Sequence, residues 1–255
     1  MKLHKYIIIV GIYFINIFAQ DIASCTVIYQ QTKQYDFESI FGQFKDPGAQ
    51  EWLASIPTES QSTKVLYYSN GISLFKDDPI SDDEKSERLQ EALHKADFFR
   101  APQYENLEYY LDFNEDELIR KVEFMNRNFI VTSSIEKLPW KLKRDKVRIQ
   151  NYQCSRAEFK QGENIISAWF APEISISSGP SHFFGLPGLI LAIEIDGETA
   201  FLAASIKINS ENDNLIVIPE NGKKVSEEKF NKIMMDKINE YKEIKLKKNY
   251  KKGKK

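Results

Sequence analysis

The stretch HFFGLPGLILAIEIDGE, residues 182–198, carries the clearest structural signal in this 255-residue chain. Its glycines, Gly185 and Gly188, match neither a P-loop, which needs four residues between glycines followed by Lys and Ser or Thr, nor a dinucleotide-binding loop. Leu186-Pro187-Gly188-Leu189 predicts a type II β-turn, because proline suits the second position and glycine the third. The apolar run that follows predicts a strand covered on both faces at its start.

The segments on either side alternate apolar and polar residues in short runs separated by turn residues. Asn70-Gly71 predicts a tight hairpin, and further turns are predicted near Asn114–Asp116, Asn126–Asn128, Gln161–Glu163 and Asp196-Gly197. Helices are expected at 81–100, capped by Ser81, at 225–241, begun by Ser226, and briefly before Ile56, after a turn at Pro47-Gly48. With about ten strands and no βαβ rhythm, the sequence predicts an α+β fold: a large curved antiparallel sheet, curled like a half-barrel, with a few packing helices.

The N-terminus has the pattern of a secretory signal peptide. Lys2 and Lys5 precede an uncharged apolar run from Tyr6 to Ala19, and polar residues follow. We expect cleavage near Ala19–Gln20, with a retained anchor as the alternative. No later stretch reaches 18 apolar residues, so no transmembrane span is expected in the mature chain. The expected organisation is a signal peptide over 1–20, one domain over 21–241, and a location in the periplasm, at the outer membrane or outside the cell.

The C-terminus is lysine-rich, with eight lysines and one acid, Glu243, from Lys242 to Lys255. Such a block predicts a solvated, disordered tail over 242–255. The alternative is that it attaches to an anionic surface. The net charge of the whole chain is −2, which gives no case for a nucleic-acid partner.

Two cysteines, Cys25 and Cys154, suggest one disulfide in an exported chain. Two alternatives stay open. Both thiols could be buried and inert, or Cys25 could be acylated, because Ile22-Ala23-Ser24-Cys25 looks like a lipobox.

Candidate catalytic and metal-binding residues are sparse. The three histidines, His4, His94 and His182, form no ligand-spaced pair, and no Cys-x₂-Cys or calcium loop is present. Ser181 and His182 are adjacent, but neighbouring side chains rarely point together and no nucleophile elbow is present. The local acids are Glu173, Glu194 and Asp196. We therefore expect no catalytic residues, no metal and no cofactor.

Four blocks together resemble a known family. They are Asn151–Ala157, Ala168–Ile174, Gly179-Pro180 and Phe184-Gly185-Leu186-Pro187-Gly188-Leu189-Ile190, with an upstream hairpin at Ser69–Phe75. Their order is similar to that of the GLPGLI family, exported proteins of Bacteroidetes-type bacteria that are named for the hexapeptide. The resemblance covers most of residues 25 to about 208. It implies export and no established activity, so no catalytic residue is carried over.

The first functional hypothesis is a non-enzymatic binding or carrier protein of the periplasm or outer membrane, similar in architecture to the outer-membrane lipoprotein carrier. Its partner would be a lipid, a peptide or an envelope protein. The residues expected to contact that partner are Phe183, Phe184, Trp169 and Phe170, with Tyr67, Tyr109 and Trp140 also on or around the concave face. The alternatives are a structural or assembly subunit of an envelope complex and an envelope hydrolase.

Overall fold

The computed structural model describes residues 22–81 and 86–252, which form one open sheet of twelve strands with four α-helices. The strand order is β12-β6-β5-β4-β3-β2-β1-β11-β10-β9-β8-β7. The strands are β1 Ser24–Gln34, β2 Glu59–Ser69, β3 Ile72–Asp77, β4 Tyr104–Asp112, β5 Glu117–Phe124, β6 Arg127–Ser134, β7 Lys141–Ile149, β8 Tyr152–Gln161, β9 Asn164–Ala171, β10 Leu189–Ile195, β11 Glu198–Ile208 and β12 Lys223–Ser226.

Two antiparallel meanders make up this sheet. Strands β1 to β6 pair in chain order, and so do β7 to β11. The meanders meet where β1 pairs with β11, with Cys25 opposite Ile208. Only β12 runs parallel to its neighbour, β6. The predicted large antiparallel sheet is therefore confirmed, with two more strands than the estimate of ten.

The predicted hairpin turns lie within a residue of where the sequence places them. The turn predicted at Pro47-Gly48 is wrong, because both residues lie in the first turn of a helix, where proline is well tolerated. Asn70 and Gly71 both have positive φ, +48° and +83°, as a type I′ hairpin requires. Gly162 and the Asp196-Gly197 pair also have positive φ and connect β8 to β9 and β10 to β11. Two strands were not predicted. The strand β7 has exposed residues along almost its whole length and so shows no apolar alternation. The strand β12 has only four residues.

The helices depart from prediction at their ends. They are α1 Glu38–Phe41, α2 Pro47–Ala54, α3 Glu87–Ala96 and α4 Glu227–Lys252, with one 3₁₀ turn at Asp213–Leu215. Pro47 begins α2, with the Asp46 side chain accepting from the N–H of Ala49. The N-cap of α3 is Ser86, whose Oγ accepts from the N–H of Leu89, so the predicted cap at Ser81 is wrong. Both are short polar residues that suit an N-cap, and the sequence alone favoured the earlier one.

The helix α4 begins after Ser226, as predicted, but continues past Tyr241 to Lys252. The tail predicted to be disordered from residue 242 is therefore helical as far as the described chain extends. Lysine is a good helix former, and a helix already nucleated by packing costs little to extend. Only the first half of α4 is anchored on the sheet, by Phe230, Ile233 and Met234.

The main core lies on one face of the sheet, which we call the inner face. It combines Tyr109 and Leu111 of β4 with Ala157 and Phe159 of β8, and these two strands are separated by six others in the sheet. Side chains so distant along a flat sheet could not share one cluster, so the sheet curves around this core. A smaller cluster joins α1, α2 and α3 into a helical lobe around Phe37, Phe41, Ile56, Leu89, Ala92 and Ala96.

The disulfide suggested by Cys25 and Cys154 is not formed: both are free, buried thiols. Three strands lie between β1 and β8, which separates them by roughly 19 Å along the sheet, whereas a disulfide needs Cα atoms within about 7 Å. Burial raises the pKa of the Cys25 thiol to about 12 and that of Cys154 to about 11. An acyl chain on Cys25 would have no room in this core, where the residue has no exposed surface.

The predicted signal peptide, residues 1–20, lies outside the described residues. Within the part of the chain that the structure describes, no helix is long and apolar enough to cross a membrane.

Candidate functional site

The connection from β9 to β10, residues 172–188, lies across the inner face and fills it; we call it the inner loop. Ile174, Ile176, Phe183, Phe184 and Leu186 are all buried in the main core. A half-barrel carrier of lipid would need this face open. Here the chain occupies it with its own side chains, so the carrier analogy extends to the curved sheet only.

Trp140 fixes the end of the inner loop. Its indole Nε1 donates a hydrogen bond of 2.7 Å to the carbonyl oxygen of Phe184, and its ring packs edge-on against Phe159 at 4.6 Å between centroids. Phe183 stacks on His182 at 4.5 Å, and Phe184 contacts Phe113 at 5.4 Å. The two phenylalanines therefore act as core residues.

The turn at Pro187 is tighter than the predicted type II β-turn. The N–H of Gly188 donates to the carbonyl oxygen of Leu186 at 2.8 Å, while the N–H of Leu189 donates to Ile174 at 3.1 Å. A type II turn would join Leu189 to Leu186 and hold its third residue near φ +80°, whereas Gly188 has φ +149°. This is a γ-like turn centred on Pro187, and it lets the inner loop pair with the start of β10.

Gly188 is required for close approach as well as for conformation. A Cβ there would lie 2.3 Å from the backbone oxygen of Ala171. At Gly179, a Cβ would lie 2.7 Å from the Cβ of Ile190. Of the remaining motif residues, Pro180, Leu186, Leu189 and Ile190 are buried, and Gly185 and Pro187 are exposed.

Three of the four predicted contact residues, Phe170, Phe183 and Phe184, are buried, and Trp169 is half-buried. The guanidinium of Arg156 lies over the Trp169 ring at 5.7 Å. None of the four lines either of the two cavities described next. Their placement thus gives no support to ligand contact.

The larger cavity lies between the helical lobe and the ends of β1, β4 and β5. This edge cleft has a volume of about 810 Å³ and is open to solvent. Its lining combines apolar and polar side chains: Lys33, Gln34, Tyr35, Asp36, Phe37, Ile40, Leu93, Asp97, Arg100, Ala101, Pro102, Gln103, Tyr104, Glu105, Glu123, Met125 and Asn126. This volume is in the range of sites that take small ligands or peptide segments.

A smaller cavity of about 230 Å³, the inner pocket, shares Lys33, Tyr104 and Glu105 with the edge cleft. It extends toward the inner loop, where Ser181 and Tyr109 form part of its lining. The inner pocket therefore adjoins the edge cleft and reaches the inner loop at Ser181.

Carboxylates outnumber cations in the edge cleft. Asp36, Asp97, Glu105 and Glu123 face Lys33 and Arg100, a net charge of −2. Lys33 pairs with Glu105 at 2.5 Å, and Arg100 pairs with Asp97 at 2.8 Å.

Glu105 and Glu123 are directly opposite each other in the β4–β5 register, an arrangement that destabilises a sheet when no cation intervenes. Lys33 neutralises one member of this pair. We find no hydrogen bond or ion pair for the Glu123 carboxylate within the described residues. A ligand that supplies a cation there would therefore be favoured.

Ser181 and His182 do point together, contrary to expectation. Ser181 has φ +59°, and this backbone turns its Oγ to within 3.1 Å of His182 Nδ1. The Tyr109 ring stacks on His182 at 5.8 Å between centroids. Burial, with the nearby Arg120 guanidinium, lowers the pKa of His182 to about 4. The imidazole is therefore neutral near pH 7 and sits beside a cation, which disfavours the imidazolium that a general base must become.

The acids that a hydrolase would need are engaged elsewhere or lie apart from this dyad. Glu173 accepts from the N–H of Gln153 at 3.4 Å, and Asp196 accepts from the N–H of Ile165 at 2.9 Å. Glu194 is on β10 opposite Ser167 of β9. Among the residues that the structure describes, no three His, Cys, Asp or Glu side chains are placed to hold a metal ion.

No local sequence pattern predicts the edge cleft. Its walls come from residues 33–40, 93–105 and 123–126, and no short motif joins them. The available hint was that tyrosines and carboxylates recur where predicted strands begin or end, as at Tyr35-Asp36 and Tyr104-Glu105.

Comparison with known proteins finds a match to one family model over a short stretch and a likeness in fold to solved structures. Residues 158–192 match a family model described as "Protein of unknown function (Porph_ging)". No curated protein matches the chain. Two solved structures of PNGF-II, in space groups P21 and C2, are similar with a TM-score of 0.53 at 14% identity over 84% of this chain. The chain spans about a third of the length of those structures, 34% and 33%. The likeness shows a shared β-rich fold.

Proposed function

We propose that this chain is an exported, non-enzymatic binding protein of the periplasm or outer membrane, and that its edge cleft takes a peptide segment carrying lysine or arginine. The observation that carries the proposal is the open, 810 Å³ cleft with an excess of two carboxylates. Export is supported by the signal-peptide pattern of residues 1–20 and by the resemblance to the GLPGLI family.

The lining favours a polar ligand over a lipid. Six of its side chains are charged, and Gln34, Gln103 and Asn126 add amides. An acyl chain placed there would leave these groups desolvated without partners. The inner face, where a lipid would have been expected, is filled by the inner loop.

A peptide fits both kinds of surface in the cleft. Tyr35 and Tyr104 offer flat apolar rings with polar ends, and Glu123 offers a carboxylate for a basic side chain. An exposed ion pair of this kind contributes little alone, about 0.2–1 kcal/mol, so the rings must supply part of the affinity.

The direct test measures binding of capped tri-lysine and tri-glutamate peptides to the mature chain by calorimetry at low salt. We expect the lysine peptide to bind and the glutamate peptide not to bind. Glu123→Gln should weaken lysine-peptide binding by about two- to fivefold, which corresponds to one exposed charge pair.

Glu163→Gln is the matched control, because Glu163 is an exposed carboxylate in the β8–β9 turn and lines neither cavity. It should leave binding unchanged. Equal binding of both peptides, or equal effects of the two substitutions, would contradict the proposal.

A further inference from the structure

A second surface, outside the cleft, combines exposed aromatic rings with clustered lysines. Phe98 and Phe99 follow α3 and are 72% and 40% exposed, and Phe44 is 39% exposed. The rings of Phe44 and Phe99 touch, at 5.6 Å between centroids. Phe99 is held from behind by Phe41 of the helical lobe at 5.8 Å. These rings are thus fixed to a packed lobe while part of their surface stays open to solvent.

The end of α4 reaches the same place. Lys245 Nζ donates to the carbonyl oxygen of Phe99 at 3.4 Å, which places the lysine-rich part of the helix beside the exposed rings. Lys242, Ile244 and Lys245 are all exposed. The sequence from Lys242 to Lys255 has eight lysines and one acid.

Two acids near these rings are paired with cations. On α3 and just after it, Glu91 pairs with Lys95 at 2.6 Å and Asp97 pairs with Arg100 at 2.8 Å. Each of these two pairs is neutral, so neither offsets the charge of Lys242 and Lys245.

We propose that this aromatic–lysine surface, formed by Phe44, Phe98, Phe99 and the α4 segment 242–245, docks onto an anionic lipid bilayer. Phenylalanine rings favour the boundary between headgroups and acyl chains, and lysines are attracted to anionic headgroups. Ring insertion and lysine attraction are each weak alone. Together they give reversible peripheral attachment to the bilayer. An acidic protein would neutralise the lysines, but it would not account for the large exposed fraction of the Phe98 side chain.

The test is co-sedimentation of the full mature chain with vesicles of phosphatidylcholine, with and without one third phosphatidylglycerol. We expect binding to the anionic vesicles only. Replacing Lys242, Lys245, Lys247 and Lys248 with glutamine should weaken it at least tenfold, since each lysine near the surface contributes about fivefold, and should flatten its salt dependence. Phe98→Ser should weaken it about three- to tenfold at every salt concentration, because ring insertion is not screened.

The matched control removes the same number of charges from the exposed edge strand β7, by Lys141→Gln, Arg144→Gln, Lys146→Gln and Arg148→Gln. This control should bind like the wild type. Loss of binding with the β7 control, equal binding to neutral vesicles, or no vesicle binding overturns the proposal. So does tight binding of soluble poly-glutamate that Phe98→Ser leaves unchanged, which would identify an acidic polypeptide instead. The peptide test of the edge cleft is independent, so either proposal can fail without the other.

Discussion

The chain contains two pairs of consecutive phenylalanines with opposite roles. Phe183 and Phe184, in the inner loop, are 5% and 9% exposed, whereas Phe98 and Phe99, after α3, are 72% and 40% exposed. The first pair resembles a binding loop in sequence because it lies between polar and glycine-rich residues. The structure reverses that expectation: the sheet curves over the first pair and leaves the second at the surface.

Burial of each phenylalanine pair is decided by what the rest of the chain places over it. The inner loop is enclosed because β1 to β4 and β8 to β11 contribute to one core around it. The segment after α3 has only the small helical lobe behind it. Substitutions in the inner loop should therefore cost more stability than substitutions in the segment after α3.

The largest effect is expected from Gly188→Ala. The new Cβ would lie 2.3 Å from the Ala171 oxygen at φ +149°, so two backbone segments would have to move apart. We expect a loss of about 4 kcal/mol or more in the free energy of unfolding, measured by urea denaturation. Gly197→Ala is the control, because φ there is +87° but nothing lies within 4 Å, and its cost should be about 1 kcal/mol. Equal costs at the two sites would show that close packing of the inner loop is not what requires Gly188.

Alanine substitution tests the two phenylalanine pairs directly. Phe183→Ala should lower the free energy of unfolding by about 3–5 kcal/mol, because it leaves a cavity in the main core. Phe98→Ala should change it by less than about 0.5 kcal/mol. Comparable losses for both variants would mean that the segment after α3 is covered in solution.

The stability of the inner loop should depend on pH through His182. Its pKa is about 4 in the folded chain and about 6.5 when unfolded, so the unfolded state binds the proton first as pH falls. Stability is full above pH 6.5 and is lost as pH falls toward 4, by up to about 3 kcal/mol. Chemical denaturation of wild type and His182→Gln between pH 7 and pH 4 would measure this loss, which the variant should lack. An unchanged pH dependence in the variant would assign the loss to other groups.

The smallest effect is expected from Tyr29→Phe. The Tyr29 hydroxyl donates a buried hydrogen bond of 2.6 Å to the carbonyl of Ile190, at a bulge in β10. Its removal leaves this carbonyl unsatisfied and should cost about 1–3 kcal/mol. Tyr68→Phe, on the partly buried side chain opposite Cys25, serves as the comparison and should cost less. Hydrogen exchange at β10 should rise in Tyr29→Phe alone.

Much of the fold could be predicted from local signals. Asn70-Gly71 and Asp196-Gly197 adopt the positive φ values that their residue types favour, and the β1 and β10 strands follow their apolar patterns. The strand β7 was not predicted because its residues face solvent and show no alternation of apolar and polar types. The helix over residues 242–252 was not predicted because runs of like charge usually remain unfolded.

The candidate site was less predictable. Tyr104 and Glu105 start β4, whereas Tyr35 and Asp36 follow the end of β1. Two other strands lie between β1 and β4, so only tertiary packing brings these residues to one cleft. The positive φ of Ser181 is equally nonlocal, since the rings of Tyr109 and Phe183 both stack on the adjacent His182. No property of adjacent residues encodes either arrangement.

The single seam between β1 and β11 has a consequence for how the chain reaches this structure. Each meander pairs strands that are consecutive in the chain. The β1–β2, β3–β4 and β9–β10 connections are long, but each closes a much shorter loop than the seam does. The seam joins Cys25 to Ile208 and requires a loop of more than 180 residues to close. Until β11 has emerged, β1 presents a bare edge rich in β-branched and aromatic residues, the kind of edge at which polypeptides misassemble. Pairing with β11, which is synthesised late, therefore decides whether the edge of β1 is protected from misassembly.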